Sequence, residues 1–508
     1  MSVTPTAPTT PDPDHADAEQ RYRQRLLDRI PRGLLIGGVW RSSADDKVVT
    51  VENPATGASL GPVASATVAD GDAALTAATD VANTWKATPP RERGEILRRA
   101  FELLTDRAED FATLMTLEMG KPLPQARAEV TYGAEFLRWY AEEAVRIDGR
   151  WSTAPDGRTR LLTMRQGVGP VLAITPWNFP LAMGTRKIGP ALAAGCTMVI
   201  KPAIQTPLTM LALADLLTEA GVPAGVVNVI TTASSSTVIA PLISDARLRK
   251  LTFTGSTPVG KALIRQSADQ VLRVSMELGG NAPFLVFADA DLDAAVEGAM
   301  LAKMRNMGEA CTAANRFLVH ESVASEFGRL LAARMEQEIV GDGLRPEVTV
   351  GPLIDNEQRS KVAELVTDAV DRGAQILTGG DAIEGAGYFY SPTVLTDIAP
   401  DTALLREEIF GPVAPITTFT SDAQAIGLAN DTEYGLAAYA FTDHIDHAIA
   451  VSEALDFGMV GLNQGIVSNA AAPFGGMKQS GFGREGGPEG IEEYLETKYV
   501  GISTRPGL

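Results

Sequence analysis

The chain has 508 residues, 45% hydrophobic and 21% charged, enough to bury large cores in two or three domains of roughly 150 residues each. Its formal net charge of −19 argues against nucleic-acid and anionic-membrane partners, which need a positive field, and implies that any anionic ligand is held by local donors. Two cysteines, Cys196 and Cys311, cannot build a disulfide framework and fit a reducing cytoplasm, and the histidines show no metal-ligand spacing, so no metal site is expected.

In chain order, residues 1–20 read as a disordered tail rich in Pro, Thr, Ala and Asp, without the basic start and apolar core of a signal peptide. A strand and turn follow at 34–40 and a loop at 53–57. Residues 70–148 carry helical periodicity, with Ile96, Leu97, Ala100, Leu103 and Leu104 recurring at three- and four-residue steps. The apolar stretch 168–194 is broken by Pro170, Pro176, Asn178, Pro180, Arg186 and Lys187, which argues against a membrane span. From residue 168 short apolar runs at 171–174, 197–200, 226–230 and 250–253 alternate with helix-like segments, the pattern of a doubly wound parallel sheet. A second series, with runs at 284–287, 317–319, 376–377 and 416–419, extends to residue 474. Two α/β domains with a cleft between them are therefore expected. Gly475, Gly476, Gly481, Gly483, Gly486 and Gly487 mark a loop before a last helix and a strand at 499–503; His444 and His447 read as a solvated helix face.

Five segments carry candidate chemistry. Cys311, in the run 305–312, is nucleophilic as its thiolate, and upstream Glu277 stands in an apolar run ending on Gly279 and Gly280. In 175–180 two prolines fix a loop that offers the Asn178 amide among aromatic groups, which suits an oxyanion hole. Lys201 follows a strand, placing an ammonium at the edge where α/β sheets bind ligands. In 251–260 a strand enters a helix: Ser256 can cap it, Pro258 suits its first turn, and its free N–H groups can hold a phosphate. Singly, each has a bland reading: a core thiol, a surface lysine, an asparagine satisfying its own turn, a capped helix.

Together these segments resemble the aldehyde dehydrogenase superfamily from about residue 30 onward. The resemblance rests on PWNFP at 176–180, KPA at 201–203, FTGST at 253–257, MELGG at 276–280, the Cys311 segment, EEIFGP at 407–412 and PFGGMKQSGFGRE at 473–485, in this order. It implies a dinucleotide-binding domain (21–145 and 168–279), a catalytic domain (280–479) and a small bridging region (146–167 and 488–504) that joins subunits into dimers or tetramers. It further implies that Cys311 attacks an aldehyde, that Asn178 and the Cys311 N–H hold the oxyanion, and that Glu277 activates water against the resulting thioester. By the same resemblance Thr175, Pro176, Trp177, Lys201, Gly255, Ser256, Leu278, Glu408 and Phe410 bind the cofactor, NAD or NADP, and Lys187 and Glu485 form a buried pair near a proton path. Relatives that prefer NAD often carry a glutamate where this chain has Ile204, so NADP is expected to serve at least as well.

Within the superfamily the chain is most similar to the succinate-semialdehyde branch, whose carboxylate-binding positions fall on Arg186, Arg305 and Ser468. Glutarate semialdehyde or an uncharged aldehyde remains an alternative, as does a catalytically idle protein of the same fold, against which the set Cys311, Glu277 and Asn178 speaks. Ala313 removes the partner that some relatives offer for a local disulfide. Glu309, two residues before the thiol, adds a negative charge with no evident use.

Overall fold

A computed structural model describes residues 13–504, so the first twelve residues of the expected tail lie outside the described part, and a helix already begins within it, Pro13–Arg29. Four helices then occupy the periodic region: Val68–Ala87, Pro90–Asp106, Ala108–Met119 and Leu123–Glu143. The first opens with a capping box, in which Thr67 and Asp70 satisfy each other's backbone donors. Ile96, Leu97, Ala100 and Leu104 face inward on the second. The third ends on Gly120 in the left-handed region (φ 92°), where a Cβ would meet the Pro352 ring at 2.6 Å. That turn delivers Lys121 into the interior.

The expected doubly wound architecture is present as two large sheets. In the first, parallel strands run in the order Arg273–Glu277, Lys250–Thr254, Val171–Ile174, Met198–Lys201 and Val227–Val229, extended antiparallel by Leu34–Ile36 and Val39–Arg41. Val171–Ile174, Met198–Lys201 and Lys250–Thr254 are buried at every position, which is why they read as unbroken apolar runs. The second sheet has the order Gln375–Thr378, Thr393–Thr396, Val413–Phe419, Ala314–His320, Ala282–Val286, Ala437–Phe441 and Met459–Leu462, parallel except at the first pair.

One crossing places the site. The chain leaves the first sheet at Glu277 and enters the second at Ala282, so the carboxyl ends of the first sheet's strands face the amino ends of the second sheet's. Residues that end strands in one sheet thereby meet residues that precede strands in the other. A third sheet, Leu495–Ser503, Thr159–Gly167 and Arg150–Thr153, stands apart and leaves Trp151 and Tyr499 each 60% exposed. No helix among the described residues is long and apolar enough to cross a membrane.

Three local readings need correction. The glycine-rich segment is not all loop, because Gly481–Phe482 adds an antiparallel edge strand beside Arg273–Glu277. Ser256 occupies the cap position of helix Thr257–Ser267 but its hydroxyl caps nothing. His447 is not on a solvated face: its ring packs edge-on against Phe287 at 4.4 Å and faces Thr442 Oγ1 at 2.9 Å and Asp422 at 3.2 Å.

Candidate active site

Cys311 lies just before strand Ala314–His320 and keeps part of its surface open. Gly280 packs against its backbone, where a Cβ would stand 2.7 Å from the Cys311 carbonyl oxygen. Burial pushes the Cys311 thiol up to about 12, with the Arg186 charge working in the opposite direction. The resting group is therefore a thiol, and attack on a carbon requires a base to take its proton.

Glu277 ends its strand fully enclosed, and neither carboxylate oxygen has a hydrogen-bond partner in the protein. Desolvation first, and the charge of Glu485 second, raise it well above the ordinary carboxylate value. Glu485 itself is lowered, because Lys187 Nζ at 2.5 Å and Arg186 Nη2 at 2.7 Å outweigh its burial. Lys187 also donates to Thr252 Oγ1 at 3.1 Å.

Asn178 is buried in the 175–180 loop, and its Nδ2 donates to the Glu309 carbonyl at 2.9 Å. The second hydrogen of that amide is the free donor. Trp177 of the same loop meets Phe410 edge-on at 5.4 Å, so the loop touches the segment preceding strand Val413–Phe419.

The carboxyl edge of the first sheet forms a second zone. Strand register sets Ile174 opposite Lys201 and Thr254 opposite Glu277, aligning Thr175, Lys201, Thr254 and Gly255 along one rim. The Lys201 ammonium has no hydrogen bond or ion pair among the described residues, and burial alone lowers it to about 8. The hydroxyls of Thr175 and Thr254 are likewise buried without partners. Buried donors that the protein leaves unmatched mark a place for oxygen-rich ligand groups. Gly255 lies over the Phe253 ring, which a Cβ would meet at 2.5 Å, and Leu278 packs where Gly260 leaves room, 2.4 Å from that glycine's would-be Cβ. Glu408, held by the Gly280 N–H at 3.2 Å and raised by burial to about 7, closes the rim beside Gly279, whose would-be Cβ lies 2.7 Å from its carboxylate.

The three residues expected to grip a carboxylate are not equivalent. Arg305 and Ser468 lie together, Nη1 to Oγ at 3.3 Å, half-buried over the Phe179 ring, and Arg305 has no acidic partner among the described residues. Arg186 is fully buried, paired with Glu485 and stacked 3.8 Å from the Phe474 ring centre. Tyr132, which the sequence reading did not single out, lies beneath Arg305 with its hydroxyl buried beside Ser468. Glu309 points away from the thiol: its Oε1 accepts from the Ile354 N–H at 3.1 Å, and burial raises it well above the ordinary carboxylate value. The negative charge expected next to Cys311 is thus absent when that acid is neutral. Cys196 is fully buried against the Tyr494 carbonyl and takes no part in the cleft.

Comparison with known proteins agrees with this geometry. The pattern of the Aldehyde dehydrogenase family matches residues 40–500. A succinate-semialdehyde dehydrogenase of Paenarthrobacter nicotinovorans is 61% identical over 87% of this chain and 99% of its own length. The NADP(+) succinate-semialdehyde dehydrogenase of Escherichia coli K12 is 49% identical over 92% and 97%. The crystal structure of an E. coli NADP-dependent enzyme superimposes with a TM-score of 0.93 at 48% identity, covering 95% of this chain and 99% of that one.

Proposed function

This chain belongs to the aldehyde dehydrogenase family, and from that premise we propose that it oxidises succinate semialdehyde to succinate with NADP or NAD. The observation that carries the substrate is Arg305, a guanidinium with no acidic partner among the described residues, beside Ser468 and Tyr132 on the cleft that holds Cys311. A cation without a counter-ion in a protein of net charge −19 selects an aldehyde with an acid at its far end. Arg186 is paired with Glu485 and is left out of that grip.

Glu277, whose oxygens are free, takes the Cys311 proton, and the thiolate adds to the aldehyde carbon. The free Asn178 N–H and the Cys311 N–H hold the oxyanion of the thiohemiacetal. Thr175, Lys201, Gly255 and Glu408 on the rim would hold a nicotinamide dinucleotide, which when bound would supply the hydride acceptor for the oxidation to the thioester. Glu277 releases the Cys311 proton to solvent and then takes a proton from water as that water attacks the thioester; the C–S bond breaks, Cys311 leaves as the thiolate, and the arginine-held product departs as a dicarboxylate. Ile204, half-buried on the core, places no carboxylate near Lys201, which favours NADP.

The same reading makes the third sheet, with Trp151 and Tyr499 exposed, the contact for a second copy in a homodimer or homotetramer. It places the protein in the cytoplasm, where free thiols such as Cys196 and Cys311 persist. A panel of aldehydes with and without a terminal carboxylate, assayed with both cofactors, tests the proposal. Preference for the four-carbon acid with NADP is expected; equal kcat/KM on uncharged aldehydes overturns the substrate, and preference for the five-carbon acid moves it to glutarate semialdehyde.

A further inference from the structure

The loop bearing Asn178 and the loop bearing Cys311 are joined by one side chain. Asn306 Nδ2 donates to the Asn178 carbonyl at 3.1 Å and to the Glu309 carbonyl at 2.9 Å. The Asn178 amide donates to that same Glu309 carbonyl at 2.9 Å. An amide nitrogen has two hydrogens, so Asn306 uses both on the two loops while Asn178 uses one and retains one. The Asn306 oxygen is buried without a partner, so turning the amide over would set that oxygen against two carbonyls. Its orientation is therefore fixed by what it ties together.

The backbone is arranged for this contact. Asn306 and Met307 both adopt left-handed conformations, φ 54° and 55°, followed by Gly308 at 78°. Asparagine tolerates that region better than most residues, and the Asn306 N–H is anchored on Gln125 Oε1 at 2.6 Å. Beneath lies a buried base. Lys121 Nζ donates to the Asn178 carbonyl at 2.8 Å and pairs with Glu129, whose other oxygen accepts from the N–H groups of Leu181 and Ala182 at 3.0 and 3.1 Å.

We propose that Asn306 is a positioning residue that, sharing the Asn178 carbonyl with Lys121, locks the Asn178 amide at a fixed place relative to Cys311 and so sets the geometry of the oxyanion hole. The inference rests on the reading of Asn178 as the oxyanion donor. An oxyanion donor works only within a few tenths of an ångström of its place, and Asn178 is held there by the Glu309 carbonyl that Asn306 in turn fixes.

The test compares Asn306→Gly, Asn178→Ala and the double variant. Glycine adopts the left-handed backbone freely, so Asn306→Gly removes the tie while relieving strain; a thermal melt close to wild type confirms the fold. The readout is cofactor-free acylation of Cys311 by p-nitrophenyl acetate, in which the thiolate forms the S–C bond and nitrophenolate departs, alongside alkylation by iodoacetamide, which forms no oxyanion. Acylation in Asn306→Gly is expected to slow about 10- to 100-fold, with alkylation unchanged and the double variant no slower than Asn178→Ala. Asn306→Asp, which keeps the shape and loses the donors, is expected to be at least as slow. Wild-type acylation in Asn306→Gly with slow Asn178→Ala overturns the proposal, as do equal losses in acylation and alkylation or a double variant whose loss is the product of the two. Wild-type acylation in Asn178→Ala overturns the oxyanion reading itself, and the proposal with it.

Discussion

Glu277 and Glu485 are buried carboxylates close enough that the charge of Glu485 raises Glu277, yet Arg186 and Lys187 both pair with Glu485. Arg186 reaches it at 2.7 Å and Lys187 at 2.5 Å, while the Glu277 carboxylate receives neither an ion pair nor a hydrogen bond among the described residues. The result is a division of states: Glu485 stays ionised, and its charge together with burial keeps Glu277 protonated beyond the ordinary carboxylate range. A buried acid with a raised pKa is a base only once the pH has climbed to meet it.

The rate of thioester hydrolysis is therefore expected to keep rising with pH above the ordinary carboxylate range, because the ionised fraction of Glu277 rises with it. In Glu277→Gln the acyl-enzyme should accumulate and its decay should lose that pH dependence. Single-turnover kinetics with mass detection of the acylated chain checks both; a flat wild-type profile contradicts the assignment.

Replacing Glu485 acts on the same pair from the other side. Glu485→Gln leaves Arg186 and Lys187 buried without a counter-charge, which costs about 3–5 kcal/mol by denaturant unfolding. It also removes the negative charge that raises Glu277 and frees two positive ones, so the pH midpoint for hydrolysis should move down. A midpoint that moves up would show that Glu485 does not reach Glu277.

Arg305 and Arg186 should separate by substrate. Arg305→Met removes the cation that Ser468 and Tyr132 border, and kcat/KM for an acid aldehyde should fall by roughly 2–5 kcal/mol of binding. Uncharged aldehydes should be little affected. Arg186→Met, by contrast, leaves Glu485 with Lys187 as its one remaining cation of the pair and should lower stability and turnover on every aldehyde. Comparing the two variants on paired charged and uncharged substrates decides which arginine meets the carboxylate.

These outcomes turn on distinctions the sequence alone could not draw. The central strands were legible because unbroken apolar runs such as Val171–Ile174 are buried on both faces, and their carboxyl edge was legible because Lys201 and Gly255 follow them directly. Arg186 and Arg305 look alike in one dimension; what divides them is Glu485, nearly 300 residues beyond Arg186, and only the fold brings it within reach. Lys121 and Glu129 were not singled out in the sequence, although Lys121 follows the helix-ending Gly120 and so turns inward. Asn306 stood in the same run as Cys311, but a run of letters does not show that its amide faces two carbonyls.

Cofactor choice follows from Ile204. Ile204→Glu would set a carboxylate after the strand that ends on Lys201, repelling a 2′-phosphate and accepting the ribose hydroxyls instead. The ratio of kcat/KM for NADP to that for NAD should fall, chiefly through a higher KM for NADP. An unchanged ratio would show that the discriminating contacts lie elsewhere on the rim.

Glu309 makes the last case, because its proximity to Cys311 in sequence suggested an electrostatic role that the fold removes. Its side chain is wholly enclosed, one oxygen accepts from the Ile354 N–H and the other has no partner, so the neutral acid is the form that fits. Glu309→Gln keeps that shape and should leave kcat and the Cys311 alkylation rate unchanged. Its effect should appear in stability. The folded carboxyl is raised above its unfolded value, so the wild-type contribution is intact below the unfolded pKa and declines as pH rises toward the folded one, where only the unfolded chain can ionise. Glutamine has no such proton to lose, and its melting temperature should match wild type near about pH 4 and exceed it near about pH 8. A wild-type advantage that widens with pH would mean that Glu309 is ionised in the fold and paired with Lys121.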